Sequence, residues 1–312
     1  MKGYILHRLI YLLPVLIGVS IITFILIRIA PGDPAEILLR AEGREITEET
    51  VEIMRDRFGL NDPLPQQYLH WLKDIARFDL GTSFRTGRPV TAEIISRFPA
   101  TLELTLSAMV FMIILALPAG ILSALYRHSF IDNASRVIAL LGVSMPNFWQ
   151  GLLLIYFFGV MWNILPTFGR GGVQHLILPS VTLGFSMAAV YMRILRASIL
   201  DILGEEYIKV AHARGLWERW IISRHVLKNA LLPAVTLMGI SMGNLLGGTV
   251  VVETIFAWPG AGKFLVEAIF NRDYPVIQGY ALFIAIIFVL LNLLVDISYA
   301  FLDPRIRLGR RH

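Results

Sequence analysis

Several side chains in this sequence have the type and spacing that chemistry requires. The stretch GISMG at 239–243 fits G-x-S-x-G, in which a serine nucleophile sits on a turn between a strand and a helix. Asn147, which follows Pro146, could hydrogen-bond a polar solute. Soft thioether ligands for a passing metal ion could come from Met145, Met187, Met192, Met238 and Met242. Each of these possibilities has a plainer structural alternative.

The serine pattern lies within an apolar run rather than at a strand-to-helix turn, so it does not indicate a hydrolase. Its glycines recur at every fourth position, as Gly239, Gly243 and Gly247. On a helix they would form one smooth face, which lets a second helix approach closely in a membrane. We therefore expect these glycines to serve helix packing.

Metal and thiol chemistry have little support in the sequence. There is no cysteine, which excludes disulfides and thiol catalysis. The seven histidines show neither H-x-x-x-H nor H-E-x-x-H spacing. Methionines more often serve as adaptable packing than as metal ligands. We expect no catalytic residues and no fixed metal site in this chain.

Pro146 lies inside an apolar run, in the stretch GVSMPNFW at 142–149. There it removes a backbone donor and kinks or opens a helix. It is either a tolerated membrane proline or part of a solute pathway, where irregular backbone faces a water-filled cavity. The sequence leaves both alternatives open. If Pro146 belongs to a solute pathway, the predicted pathway residues are Met145, Pro146, Asn147, Met187, Met242 and Asn244.

The elements that position these residues are membrane helices. Apolar residues make up 56% of the 312 positions, and the mean hydropathy is +0.65. Apolar runs of about 20 residues cross a bilayer as helices, because lipid offers backbone groups no other partners. Six such spans are predicted, at 9–29, 100–126, 136–163, 176–198, 230–253 and 277–301. The predicted fold class is an all-α membrane protein.

A polar segment at 30–98 separates the first two spans. Within it we expect a helix capped by Thr47 and stopped at Gly59, then an amphipathic helix opened by Pro63 or Pro65. The predicted organisation is an N-terminal helix at 1–29, the polar segment at 30–98 and a membrane core at 99–312.

The basic residues set the orientation of the chain. They cluster on the flanks of one side, whereas the two short loops of the other side carry Arg170, Lys263 and Arg272. The positive-inside rule then places both termini in the cytoplasm and 30–98 outside. Arg193 and Arg196, near the end of a span, can snorkel to the cytoplasmic surface. The formal charge of +5 thus reflects membrane flanks rather than nucleic-acid binding.

The chain shows no energy source of its own. It lacks the G-x-x-x-x-G-K-[ST] phosphate loop, and acids are sparse within the spans. A secondary carrier driven by protons would be expected to bury acids or histidines at mid-membrane. Energy for transport would therefore come from a partner.

A polar stretch, EEYIKVAHARGLWERW at 205–220, interrupts the apolar pattern on the cytoplasmic side. Glu205 and Glu206 suit the start of a short helix, and Gly215 suits its end. A slim helix of this kind can seat in a groove of another protein. It can equally lie as an amphipathic helix at the membrane interface, and the spacing alone does not decide between the two.

EEYIKVAHARG, followed by RHVLKNALLP at 224–233, resembles the coupling-helix motif of ABC importer permeases of the peptide/nickel branch. The resemblance covers nearly the whole chain. Its motifs include APGDP at 30–34, FGLNDPL at 58–64, DLGTSF at 79–84, PATLELT at 99–105, GVSMPNFW, HLILPS at 175–180, ETIFAWPGAGKF at 253–264, NRDYPVIQ at 271–278 and DPRIR at 303–307.

The resemblance implies a type I importer permease, a non-catalytic subunit in a bacterial or archaeal plasma membrane. It would pair with a second, similar permease, two ATPase subunits that bind ATP and Mg, and an extracytoplasmic solute-binding protein. The motifs are most similar to nickel-type permeases, with di-/oligopeptide or glutathione import as the alternative. Coupling to the ATPases would fall to a helix at 204–216, through Glu205, Glu206, Tyr207, Ala211, Ala213, Arg214 and Gly215.

Overall fold

The computed structural model describes residues 2–29, 32–41, 43 and 45–302; within these, the side chains of 2–13, 41, 236, 239, 240 and 296–302 are not described. The helices are α1 Lys2–Ile29, α2 Pro34–Ala41, α3 Glu48–Arg57, α4 Leu64–Ala76, α5 Val90–Leu125, α6 Phe130–Ser144, α7 Asn147–Leu154, α8 Val173–Leu203, α9 Glu206–Ala213, α10 Glu218–Ile221, α11 Leu227–Ile255, α12 Ala261–Phe270 and α13 Tyr274–Leu302. Two π-helical segments, Ile155–Met161 and Ile222–Val226, follow α7 and α10.

The six predicted spans overlap α1, α5, the α6–α7 pair, α8, α11 and α13. By length and hydropathy, α5, α8 and α13 each qualify to cross a membrane, and two bent helix pairs qualify as broken spans. Across the described residues the one β-structure is an isolated bridge between Thr82 and Pro89. The predicted all-α membrane fold is confirmed.

The third predicted span, 136–163, is not one continuous helix. The chain bends by 109° between Phe130–Ser144 and Asn147–Met161, and the break falls at Met145 and Pro146, which adopt extended backbone conformations. Proline has no N–H to donate, and it disfavours helical backbone in the residue before it. The expected effect of Pro146 is therefore confirmed, and the span consists of two helical arms.

α5 begins at Val90, well before the predicted span boundary at 100. Val90 and Ile94 are fully buried in a cluster with residues of α12 and α13. Glu93 pairs with Arg97, whose guanidinium lies 4.2 Å from the ring centroid of Phe264. A helix of 36 residues is about 54 Å long, so α5 projects beyond a hydrocarbon core of about 30 Å. Hydropathy marks only the part that lipid surrounds.

The chain divides into two compact units, one formed by 1–100 with 259–293 and the other by 101–258 with 294–312. The first unit contains the predicted helices of the polar segment. The Thr47 side chain accepts a hydrogen bond from Thr50 N at 3.2 Å and caps α3, and Gly59 follows its end with φ +63°. α4 begins directly after Pro63. These local predictions are confirmed.

In the second unit, α5, α6 and α8 approach closely through small residues. A Cβ on Gly184 would lie 2.6 Å from the carbonyl oxygen of Ala108. One on Gly142 would lie 2.9 Å from Cβ of Ala189. Side chains larger than hydrogen would force these helices apart. The three helices therefore pack as one tight group.

Candidate functional site

The polar stretch at 205–220 folds as the short helix α9 and the turn that follows it. Glu205 is the N-cap residue in extended conformation, and Glu206 lies in the first turn. Beyond Ala213 the chain turns at Gly215, whose φ is +74° and whose N–H donates to the His212 carbonyl at 2.9 Å. The predicted helix end at a left-handed glycine is confirmed, since glycine adopts positive φ without a Cβ penalty.

One face of α9 seats on the membrane helices. Ile208 is 1% exposed and Ala211 is 8% exposed. Both join a hydrophobic cluster with residues of α5, α8, α10, α11 and the π-helical segment between them: Ala124, Leu195, Ile199, Ile221, Val226 and Ala230. Ala211 belongs to the predicted coupling residues, and it lies on the buried face of α9 rather than on its exposed surface. Any displacement of α9 acts directly on this cluster.

The opposite face of α9 is open to solvent and chemically mixed. The exposed members of the predicted coupling set are Glu205, Glu206, Tyr207, Ala213, Arg214 and Gly215. The Tyr207 hydroxyl accepts a hydrogen bond from Asn229 Nδ2 at 3.2 Å, which steadies that ring against α11. α9 thus presents a short, fixed ridge that carries both charges and small residues.

An ion pair that sequence reasoning missed lies between α6 and α8. Asp132 is fully buried, and Arg196 reaches it with Nε 2.7 Å from Oδ1 and Nη2 2.8 Å from Oδ2. Ser123 Oγ and the His128 backbone N–H also donate to the carboxylate, at 2.6 and 3.0 Å. Arg196 therefore binds inside the protein instead of snorkelling to the surface. The pairing joins residues far apart in sequence, so no local pattern signals it.

The proposed pathway residues fall into two groups. Met145, Pro146 and Asn147 sit together at the α6–α7 break, where Met145 and Asn147 are half-buried and Pro146 is exposed. The other three lie on α8 and α11. Met187 packs against the hydrophobic cluster of α5, α6, α8 and α11, Met242 is half-buried, and Asn244 is exposed.

Gln150 is a polar residue at the break that the sequence interpretation did not select. It lies on α7, one turn after Asn147, and is 5% exposed. Its Oε1 has no hydrogen-bond partner among the described residues. A buried amide of this kind is costly in an apolar surrounding unless it finds a partner. It adds a polar group to the side of the break that Asn147 occupies.

The glycines of α11 do not share one environment. Gly243 is buried, whereas Gly247 is exposed and a Cβ there would meet nothing within 4 Å. The surroundings of Gly239 lie outside the described side chains. Gly247 thus opens outward and leaves space for another helix to approach. Within the described part of the chain, no group of three or more His, Asp or Glu is placed to hold a metal ion.

Two family models match this chain. Residues 116–308 match the binding-protein-dependent transport system inner membrane component. Residues 1–105 match the N-terminal part of a binding-protein-dependent transport system membrane component. Together they cover both the region around α9 and the segment before α5.

Similar proteins are known by sequence and by structure. The glutathione transport system permease protein GsiC of Escherichia coli (strain K12) is 44% identical over 307 residues, which are 98% of this chain and 99% of that protein. Its counterpart in Shigella flexneri serotype 5b is 43% identical over the same length. An inward-facing structure of the MetNI methionine ABC transporter matches 68% of this chain and 97% of its own, with a TM-score of 0.57 and 20% identity. The similarity to the MetNI structure shows that the two chains share a fold, and no more.

Proposed function

Because this chain belongs to the binding-protein-dependent family of ABC importer permeases, we propose that it forms half of the pathway for glutathione or a related small peptide. It is a multi-pass membrane subunit without catalytic residues of its own, and its ATPase partners hydrolyse ATP. Its further partner is a solute-binding protein. The coupling role and the solute are the two parts of the proposal that experiment must decide.

The geometry of α9 carries the coupling part of the proposal. Its inner face is locked into the membrane core through Ile208 and Ala211, and its outer face is free to enter a groove. A helix held on one side in this way can lay its exposed face in a groove of another protein. An interfacial amphipathic helix would turn its apolar face to lipid, whereas Ile208 and Ala211 are buried against the protein and Val210 is the one aliphatic side chain larger than alanine that α9 exposes. This supports the groove alternative over the interfacial one.

The relatives favour a peptide solute over nickel. The similarity to nickel-type permeases rests on motifs such as SMPNFW, and dipeptide and glutathione permeases share much of this pattern. The GsiC proteins, which are named for glutathione transport, match over nearly the full length. We therefore propose import of glutathione or of di-/oligopeptides, which the sequence motifs gave as the alternative to nickel, as the main function. Nickel import becomes the second candidate, to be tested beside it.

We place the chain in a bacterial or archaeal plasma membrane, as its family implies. We place both termini in the cytoplasm, because the basic residues cluster on the flanks of one side of the predicted spans. We propose a heterodimer with a second permease and two ATPase subunits, which bind ATP and Mg. Gly247 supports pairing with a second permease, because a Cβ there would meet nothing within 4 Å and another helix could approach closely.

Reconstituted transport separates these functions. An affinity-tagged chain, purified with its ATPases and placed in proteoliposomes, would be supplied with ATP and binding protein. Uptake of labelled glutathione, a labelled dipeptide and ⁶³Ni²⁺ would be compared. ATP-dependent glutathione or dipeptide uptake without ⁶³Ni²⁺ uptake supports the proposal. Uptake of ⁶³Ni²⁺ alone reinstates the nickel function, and uptake that needs no ATPase subunits indicates a secondary carrier.

A further inference from the structure

Two adjoining cavities lie in the first unit, where the end of α1 meets α4 and the start of α13. Their volumes are about 410 and 230 Å³, and both are lined by Arg28, Leu60, Gln67 and Tyr274. All of these residues belong to one compact unit. The Arg28 guanidinium lies at the junction of the two cavities, and its surroundings determine what the space can bind.

Arg28 is half-buried and has no carboxylate partner among the described residues. Its Nη2 and Nε donate to Gln67 Oε1 at 2.7 and 3.1 Å, and Nη1 donates to the Phe24 carbonyl at 3.4 Å. Its carbon Cζ lies 3.4 Å from the ring centroid of Phe24. These partners orient the cation without neutralising it. A half-buried cation of this kind favours an anion beside it.

Two further residues that line the smaller cavity carry donor atoms without a hydrogen-bond partner in the described chain. Gln278 is 4% exposed, and its Nε2 is buried and unpaired. The indole Nε1 of Trp71 is also buried and unpaired. Indole N–H can only donate, and unpaired buried donors carry a desolvation cost that an acceptor would remove. Arg28, Trp71 and Gln278 all line the smaller cavity and all carry donor groups, and we call these three residues the donor wall.

Acidic groups in the smaller cavity are kept to its rim. Asp62 is exposed and lies 3.9 Å from His70 Nδ1, and Asp74 is exposed. In the larger cavity, Asp33 is paired with Arg55, whose Nε lies 2.6 Å from Asp33 Oδ2. The donor wall therefore favours a ligand that presents negatively charged oxygen acceptors. The rim would accept a positive group at the other end of a zwitterion.

We propose that Arg28, Trp71 and Gln278 form a binding site for an oxyanion, either the carboxylate of a small peptide or a phosphate. Carboxylates and phosphates accept charge-assisted hydrogen bonds from guanidinium and N–H donors. With the acids at the rim, a free dipeptide matches both the donor wall and the mouth of the cavity. The site is defined by residue chemistry and does not depend on the solute proposed above.

Binding to the intact transporter complex tests the site. The complex would be held in lipid nanodiscs without solute-binding protein, and labelled glycylglycine would be titrated by equilibrium dialysis. We expect saturable binding that acetate and inorganic phosphate compete away. Gln278→Glu keeps the side-chain shape but replaces the donor with a carboxylate, and it should weaken binding about tenfold or more. Trp71→Phe, which keeps a ring, should weaken it several-fold.

Gln66→Glu is the matched control, because Gln66 is exposed on α4 and lines neither cavity. It should bind as the wild type does. Phosphatidylglycerol that copurifies with the wild type and is lost from Gln278→Glu would support the site with a lipid phosphate as its occupant. Equal glycylglycine binding and equal lipid content in wild type and both cavity variants would overturn the proposal, as would a wild type that binds none of the probes. Uptake assays are separate, so loss of the site leaves the transport role standing.

Discussion

Arg196 and Asp132 form a two-point ion pair that ties α8 to α6, with donor–acceptor distances of 2.7 and 2.8 Å. The carboxylate is fully buried and receives two further hydrogen bonds, from Ser123 and from the backbone of His128. α8 continues through Leu203 towards α9, which begins at Glu206. The pair therefore fixes the helix that leads directly into the proposed coupling element.

Removal of the arginine should destabilise the protein. Arg196→Met leaves Asp132 buried without its cation, which costs about 3–5 kcal/mol in comparable buried pairs. We expect a clearly lower unfolding temperature in detergent, and partial recovery when Asp132→Asn is added. Arg193→Met on the exposed face of the same helix is the control and should leave the temperature nearly unchanged. Equal stability of the two arginine variants would show that the pair contributes nothing.

Cysteine labelling tests the topology. The chain contains no cysteine, so a single introduced one is labelled without background from this subunit. Glu49 and Lys209 are both exposed, one on α3 and one on α9. Cysteines at these two positions should react with an impermeant reagent from opposite sides of the membrane. Reaction from the same side would contradict the orientation derived from the basic residues.

The open surface at Gly247 should serve association with the second permease. Gly247→Leu adds a side chain where nothing lies within 4 Å, so this chain should fold normally while its pairing is weakened. Gly243→Leu, at a buried position, should instead lower the amount of folded protein. Gly18→Leu on α1 is the control, because its Cβ also meets nothing within 4 Å. Copurification measures the pairing, and normal copurification of Gly247→Leu would refute an interface there.

Asn147 should act on solute passage rather than on assembly. Asn147→Leu removes the amide beside the break at Pro146 but leaves the backbone of α7 able to form. We expect a several-fold lower uptake rate in proteoliposomes with an unchanged subunit composition. Phe148→Leu, at the exposed neighbouring position, provides the comparison. Unchanged uptake in Asn147→Leu would assign SMPNF to packing.

Local features of this fold were predictable because their causes are local. Thr47 caps a helix, Pro146 breaks one, and Gly215 ends one, each through its own backbone or side-chain chemistry. The early start of α5 was not predictable, since burial of Val90 and Ile94 depends on distant residues of α12 and α13. The ion pair of Arg196 was not predictable for the same reason, because Asp132 lies far from it in the sequence. Hydropathy marks what meets lipid but not what meets another helix.

The candidate site also has a part that the sequence predicts and a part that it does not. The sequence predicted the position and the ends of α9 correctly, because acids and a glycine mark them. It did not show that Ala211 faces inward, since the direction of a face depends on how α9 packs against α5, α8 and α11. The donors in the cavity beside Arg28 come from α1, α4 and α13, so no local pattern joins them either.

The central claim is that α9 transmits the motion of the ATPases, and Gly215 provides its sharpest test. Gly215→Val places a branched side chain at φ +74°, a conformation that valine disfavours strongly, and should tilt α9 from its seat. Gly215→Asn is the control, because asparagine tolerates this conformation. Glu206→Lys reverses a charge at the start of α9, where the helix dipole favours an acid.

The decisive measurement is ATP hydrolysis by the reconstituted complex, with and without solute-loaded binding protein. We predict that Gly215→Val and Glu206→Lys insert in the membrane and pair with the second permease, yet lose most of the stimulation or bind the ATPases weakly. Gly215→Asn should keep most of it. Full stimulation in both Gly215→Val and Glu206→Lys would contradict the coupling role of α9.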